Sequence, residues 1–293
     1  MDTPTALQTH LLKGIQNLAR DNERHRPRPA EAGEPTRADE QWGIGQRSLD
    51  QLEQVALGIG VPKAWIDYAR ASGQRGTRWQ AGRQLLGSGH VDRAQLITGL
   101  GREVRGLQDM AGVGAVFTER GVDAEVTARF RRMMGMVWQR LGAVSHALGL
   151  TTEERHQVWA RGPRHWSTVV AERVRDADLK SLAQDWNRIV TADFSAATIP
   201  VIVLQAAGIT AADAHAAMPT SPDEMVTEVT QALALLDDHH TADRAIDRTA
   251  AAIATAVQPD LASPHTDIDI DEGVADQHRL SVAYPDPSEG AEP

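Results

Sequence analysis

The sequence predicts an all-α protein, a multi-helix bundle-like body followed by a disordered acidic C-terminal tail. Three observations carry that expectation. Apolar residues recur at steps of three and four along several long segments, the period of one helical face. Two reciprocal capping boxes, Thr151 to Glu154 and Ser221 to Glu224, announce helix starts. Aromatics make up only 4% of the 293 residues, and seven of the twelve are Trp, too few Phe and Tyr for an ordinary sandwich or barrel.

The elements follow in order. Thr3-Pro4 reads as an N-cap with proline at the first helical position. Leu7, Leu11, Leu12, Ile15 and Leu18 then share one face of a helical arm over residues 1–20. From Asp21 to Gln41 the only apolar side chains are three alanines, and three prolines interrupt the backbone. Such a stretch buries too little to offset its ordering entropy, so 21–41 is predicted to be a disordered linker. The arm beyond it is either tethered or docked on the body.

A helical domain is expected over 42–120. Leu49, Leu52, Val55 and Ala56 form one face, Gly58 and Gly60 break it, and Pro62 opens a helix through Trp65, Ile66 and Ala69. Arg70 to Gly89 is Gly-rich and basic, hence loop. Leu96, Leu100, Val104, Leu107 and Ala111 make the next stripe, with Gly112 and Gly114 weakening its end. A second helical domain over 121–257 begins with Val126, Phe130, Met133, Val137, Leu141, Val144 and Leu148, closed by Gly149 as a left-handed cap. Helices from the Thr151 box, through Trp166 to Val174 and from the Asp178 cap follow. Ile199 to Leu204 is read as a buried helix starting at Pro200, for want of a partner strand. The Ser221 box launches Met225, Val229, Leu233 and Leu236 and an alanine-rich run to Val257.

Composition excludes several functions. With no cysteine there is no disulfide frame, thiolate zinc site or cysteine nucleophile. No GxSxG, HExxH or phosphate-binding glycine loop occurs, so neither a catalytic site nor a cofactor is expected. His239 and Asp243 stand at metal-ligand spacing, but no third ligand accompanies them, so no metal is expected either. The amino terminus lacks a basic segment followed by an apolar one, and no apolar run reaches bilayer length. A soluble, cytoplasmic protein without a membrane partner is expected.

Charge is divided unevenly. Residues 1–192 carry 27 basic and 22 acidic side chains, against 3 basic and 18 acidic over 193–293. The predicted tail, 258–293, holds nine acids and one Arg. Opposite-signed halves suggest an interaction surface on one part and a solubilising or mimicking tail on the other.

The window from Leu52 to Ala71, LEQVALGIGVPKAWIDYARA, resembles the helix-turn-helix of the repressor superfamily. That pattern asks for a small residue at Ala56, glycine at Gly60, and apolar residues at Val55, Ile59, Val61, Ile66 and Ala69; all seven fit. The small residue lets two helices cross closely, the glycine supplies the turn, and the others hold the crossing angle. The resemblance implies that Lys63, Ala64, Asp67 and Tyr68 face base edges of double-stranded DNA, with Arg70, Arg75, Arg78 and Arg83 approaching phosphates. Lys63 and Arg70 are both expected to be exposed. From Val61 to Arg105 eight basic residues face three acidic ones. Asp67 and the bulky Trp65 depart from what such a surface wants. A fainter echo of the pattern runs from Leu204 to Ala217.

The expected function is DNA binding, as a transcriptional or mobile-element regulator. The stripe from Leu96 to Ala111 could serve such a protein as a homodimer seam, but its period, closer to 3.6 than to 3.5, favours an internal core. The alternative is a helical scaffold binding proteins through its Trp-bearing helices, with the acidic tail reaching a protein partner.

Overall fold

A computed structural model describes residues 3–27, 37–82, 85, 87, 89–118 and 120–257, without the side chains of 196, 239–246 and 252–257. Eleven helices account for the described chain, and among the described residues there is no strand. They are α1 (Ala6–Arg24), α2 (Arg37–Gly58), α3 (Lys63–Gln74), α4 (Arg93–Thr118), α5 (Ala124–Leu148) and α6 (Thr152–Trp159), followed by α7 (Trp166–Asp176), α8 (Leu179–Thr191), α9 (Ser195–Ala206), α10 (Ala211–Ala216) and α11 (Pro222–Val257). The chain divides into a unit over Met1–Asp243, which holds everything analysed below, and one over Arg244–Pro293, whose described residues lie in α11. The acidic tail over 258–293 lies outside the described residues.

Two apolar clusters build the first unit. One gathers α1, α2 and α3 around Leu11, Ile15, Leu49, Ala56, Ile66 and Ala69, and takes in Leu204, Ile209 and Ala214 of the α9–α10 region. The other joins α4 through α8 to the start of α11 around Val104, Leu107, Phe130, Leu141 and Met225. The clusters do not divide the chain at residue 120, because α4 packs with the helices that follow it while α9 and α10 return to the amino-terminal cluster.

Several local expectations need correction. The arm takes the docked of its two expected arrangements, with Leu12 and Ile15 wholly buried, but its cap is Thr5 rather than Thr3, and Thr5 exchanges hydrogen bonds with Gln8. The linker expected over 21–41 is helical at both ends, since α1 continues to Arg24 and α2 begins at Arg37. Packing explains the extension of α1, because Asn22 is buried against α2, where a Cβ on Gly45 would fall 2.2 Å from its Oδ1. α9 starts at Ser195, so Pro200 lies inside the helix rather than at its start. Gly112 and Gly114 do not end α4. They admit Val170 and Val174 of α7 and Phe130 of α5, which a Cβ would meet at 2.6–2.8 Å.

Four tryptophans on the central helical stripes are core residues. Trp138, Trp159, Trp166 and Trp186 are all buried, and Trp186 stacks on Phe117 and Phe130 with ring centroids 5.2 and 4.7 Å away. The stripe that could have served as a dimer seam is likewise internal, with Val104, Leu107 and Ala111 fully buried. No described helix is long and apolar enough to cross a membrane.

Candidate nucleic-acid interface

The turn between α2 and α3 is fixed by backbone hydrogen bonds. Val61 N–H donates to the Ala56 carbonyl at 2.9 Å and Gly60 N–H to the Leu57 carbonyl at 3.0 Å. That pair of bonds closes a helix through a residue in the left-handed region, and Gly60 has φ +80°. Pro62 then precedes α3 without a side-chain cap. All six pattern residues other than Gly60 are buried, from Ala56 and Ala69 at 0% exposure to Val55 at 8%. Trp65 turns inward as well, at 4%, so its bulk is spent in the core rather than on the surface.

α1 buttresses the hairpin. Gln8 Nε2 donates to the Gly60 carbonyl at 3.2 Å, and Gln16 Nε2 to the Thr77 carbonyl at 2.9 Å. Gly73 of α3 comes so close to α1 that a Cβ there would lie 2.2 Å from the Gln16 carbonyl oxygen. α3 is therefore held from behind by α1, and its opposite face is turned away from the core.

The expected contact residues do not form one uniform cationic face. Lys63 and Asp67 are exposed and ion-paired with each other across one turn of α3. Ala64 is half-buried beneath Gly87, where a Cβ would sit 2.5 Å from the Ala64 Cβ. Tyr68 is half-buried. Arg70, expected to be exposed, has a side chain only 31% exposed and leans back on α2, reaching Glu53 at 3.0 Å and Asp50 at 3.3 Å. Arg75 is exposed and donates to Ser72 Oγ at 3.3 Å, and Arg78 is exposed. Arg83 lies outside the described residues, as do the side chains of His239 and Asp243.

Sequence reasoning missed the Arg70 partners. Glu53 has a side chain 12% exposed and one oxygen without a hydrogen-bond partner. Burial pushes its carboxyl above the ordinary range, against the pull of the Arg70 guanidinium. Asp50 and Glu53 stand three apart on α2, which marks a shared helical face, but nothing in that spacing says that Arg70 lies opposite. The loop after α3 also escaped notice as a packed feature: Trp79 and Leu85 join the amino-terminal apolar cluster.

The fainter echo repeats the turn. Ile209 N–H donates to the Leu204 carbonyl at 3.0 Å and Gly208 N–H to the Gln205 carbonyl at 2.9 Å, with Gly208 at φ +101°. The helix that follows has only six residues and lies against Gly142 of α5, so it presents no long outer face. No protein-family model, curated protein or solved structure matches this chain.

Proposed function

We propose that the protein binds double-stranded DNA through α3, acting as a helix-turn-helix regulator. The observation that supports the reading best is the α2–turn–α3 hairpin itself. Its pattern residues are buried, Gly60 is in the left-handed region, and the outer face of α3 carries Lys63 and Asp67 in water. A helix braced from behind, with exposed side chains such as Lys63 and Asp67 in front, is the kind of element that enters a major groove.

The ion pair on that face is a small obstacle. Exposed pairs contribute about 0–1 kcal/mol, so Lys63 can leave Asp67 for a phosphate at little cost. Asp67 would then face an exocyclic amino group, as a carboxylate does with cytosine. Arg75 and Arg78, exposed just beyond α3, are placed for the backbone contacts that fix register. Arg70 is assigned a structural part instead, since it holds Glu53.

Titration of a fluorescently labelled duplex pool of random sequence tests the reading. Binding at low salt with log affinity falling steeply against log salt is expected. Absence of binding at low salt, or an affinity indifferent to salt, would rule it out.

A further inference from the structure

Of the twelve residues of α3 only Lys63, Asp67 and Gln74 are exposed. The others are spent on packing. Trp65, Ile66, Ala69, Ser72 and Gly73 are buried, and Ala64 lies beneath Gly87. Tyr68 and Ala71 are half-buried, and Arg70 leans back to Glu53 and Asp50. Steps of four and seven place the three exposed residues in one row along the helix. Any selection of bases by α3 falls to that row.

The three differ in what they can select. A helix in a major groove reads bases chiefly with its N-terminal residues, and Gln74 ends α3, about 10 Å along the axis from Asp67. Lys63 carries rotatable donors on a flexible stem, which suits a phosphate anywhere along the backbone. Asp67 is the one short, acceptor-only side chain of the row. Its side chain is 54% exposed and its ion pair is with Lys63, itself 67% exposed, so its charge plays no part in the core.

A carboxylate in a major groove selects by exclusion. Guanine presents two acceptors, thymine an acceptor and a methyl group, and adenine an acceptor beside its amino group. Cytosine alone presents a donor without an acceptor. Facing the first three, Asp67 adds a repulsion to that of the phosphates. Facing cytosine, it accepts a hydrogen bond from the amino group.

We propose that Asp67 is the specificity-determining residue of α3, and that it restricts the protein to duplex sites with cytosine at the position it faces. This rests on the proposed binding of duplex DNA by α3, and it adds which duplexes are bound.

Selection of bound duplexes from a random pool at low salt, followed by sequencing, tests it on the full chain. Wild type should enrich a site with one position at which cytosine exceeds every other base by about fivefold or more. Asp67→Asn should lose that preference and gain one for adenine, whose neighbouring donor and acceptor match an amide. Asp67→Ala, a second variant, should lose the cytosine and gain no base in its place. Lys63→Ala should bind all sequences more weakly and keep the cytosine, as the loss of a phosphate contact does. A change of base preference is not produced by a change of stability, so the readout separates contact from folding. Bound duplexes without a cytosine preference, or a preference that both Asp67 variants retain, overturn the proposal and leave duplex binding standing. A wild-type chain that retains no duplex overturns both.

Discussion

Arg70 shows how one residue can look functional in sequence and prove structural. Its guanidinium is the partner of a mostly buried carboxylate, Glu53. Arg70→Ala is expected to lower stability by about 1–3 kcal/mol at neutral pH, the cost of leaving a buried charged acceptor unsatisfied. The sign of the pH dependence follows from Glu53. Its folded carboxyl already binds its proton more readily than in the unfolded chain, and removing Arg70 increases that tendency. The deficit of Arg70→Ala should therefore shrink as pH falls and Glu53 is protonated, and Glu53→Gln should recover much of it. Urea titrations at pH 7 and in mild acid measure both effects, and a deficit that grows in acid would contradict the assignment. Lys63→Ala, by contrast, should leave stability unchanged within about 0.5 kcal/mol, because it removes only an exposed pair. Gly60→Val should destabilise strongly, since a β-branched residue resists φ +80° and a Cβ there approaches Leu96 Cδ1 at 3.2 Å.

At the scale of elements, the joints between helices are where sequence was most and least informative. The seven-residue pattern from Val55 to Ala69 matched a turn between two helices that the structure contains, because its positions have local physical demands: a left-handed glycine and inward-facing small or apolar side chains. The two boxes at Thr151 and Ser221 were equally legible, and each exchanges its hydrogen bonds as expected. What could not be read were demands set by a distant partner. Gly73 reads as the start of a Gly-rich loop, whereas α3 continues through it to Gln74 with Gln16 of α1 packed against it, and Asn22 reads as linker until Gly45 is found beside it. Gly73→Ala should push α1 off α3 and cost about 1–3 kcal/mol, in the range of overpacked cores. The tie between α4 and α6 has a measurable pH signature. Arg93 donates to Glu154 at 2.6 and 2.7 Å, and Glu154 also accepts from the Thr151 N–H at 2.8 Å. The Arg93 hydrogen bond leads in holding the Glu154 carboxyl down at about 2, below its ordinary 4.5. Its contribution is fully present above pH 4.5 and disappears as pH falls toward about 2. The stability difference between wild type and Glu154→Gln should fade over that interval. A difference independent of pH would show that the contact does not form.

For the whole molecule, the all-helical class followed from period and composition, and the interleaving of α9 and α10 with the amino-terminal helices did not, because nothing local records which cluster a helix rejoins. The cavity between α2, α4, α5 and α9 is illegible for the same reason: its lining is spread along the chain from Asp50 to Pro200. The distribution of charge is legible, and it makes a prediction at this scale. Residues 258–293 carry a net −8, on the same chain as the basic stretch from Val61 to Arg105. A chain ending at Val257 should bind duplex DNA more tightly than the full chain at low salt, and the advantage should fade as salt screens the charge. Equal affinities at low salt would leave those residues without a part in binding.

On the proposed reading α3 meets duplex DNA. Hydrogen exchange of the full chain, with and without a random duplex pool at low salt, tests it most directly. Duplex should slow exchange across the end of α2, the turn at Gly60, α3 and the residues through Arg78, and leave α7 and α8 unchanged. Protection confined to other helices, or none under conditions where the duplex is bound, would contradict it.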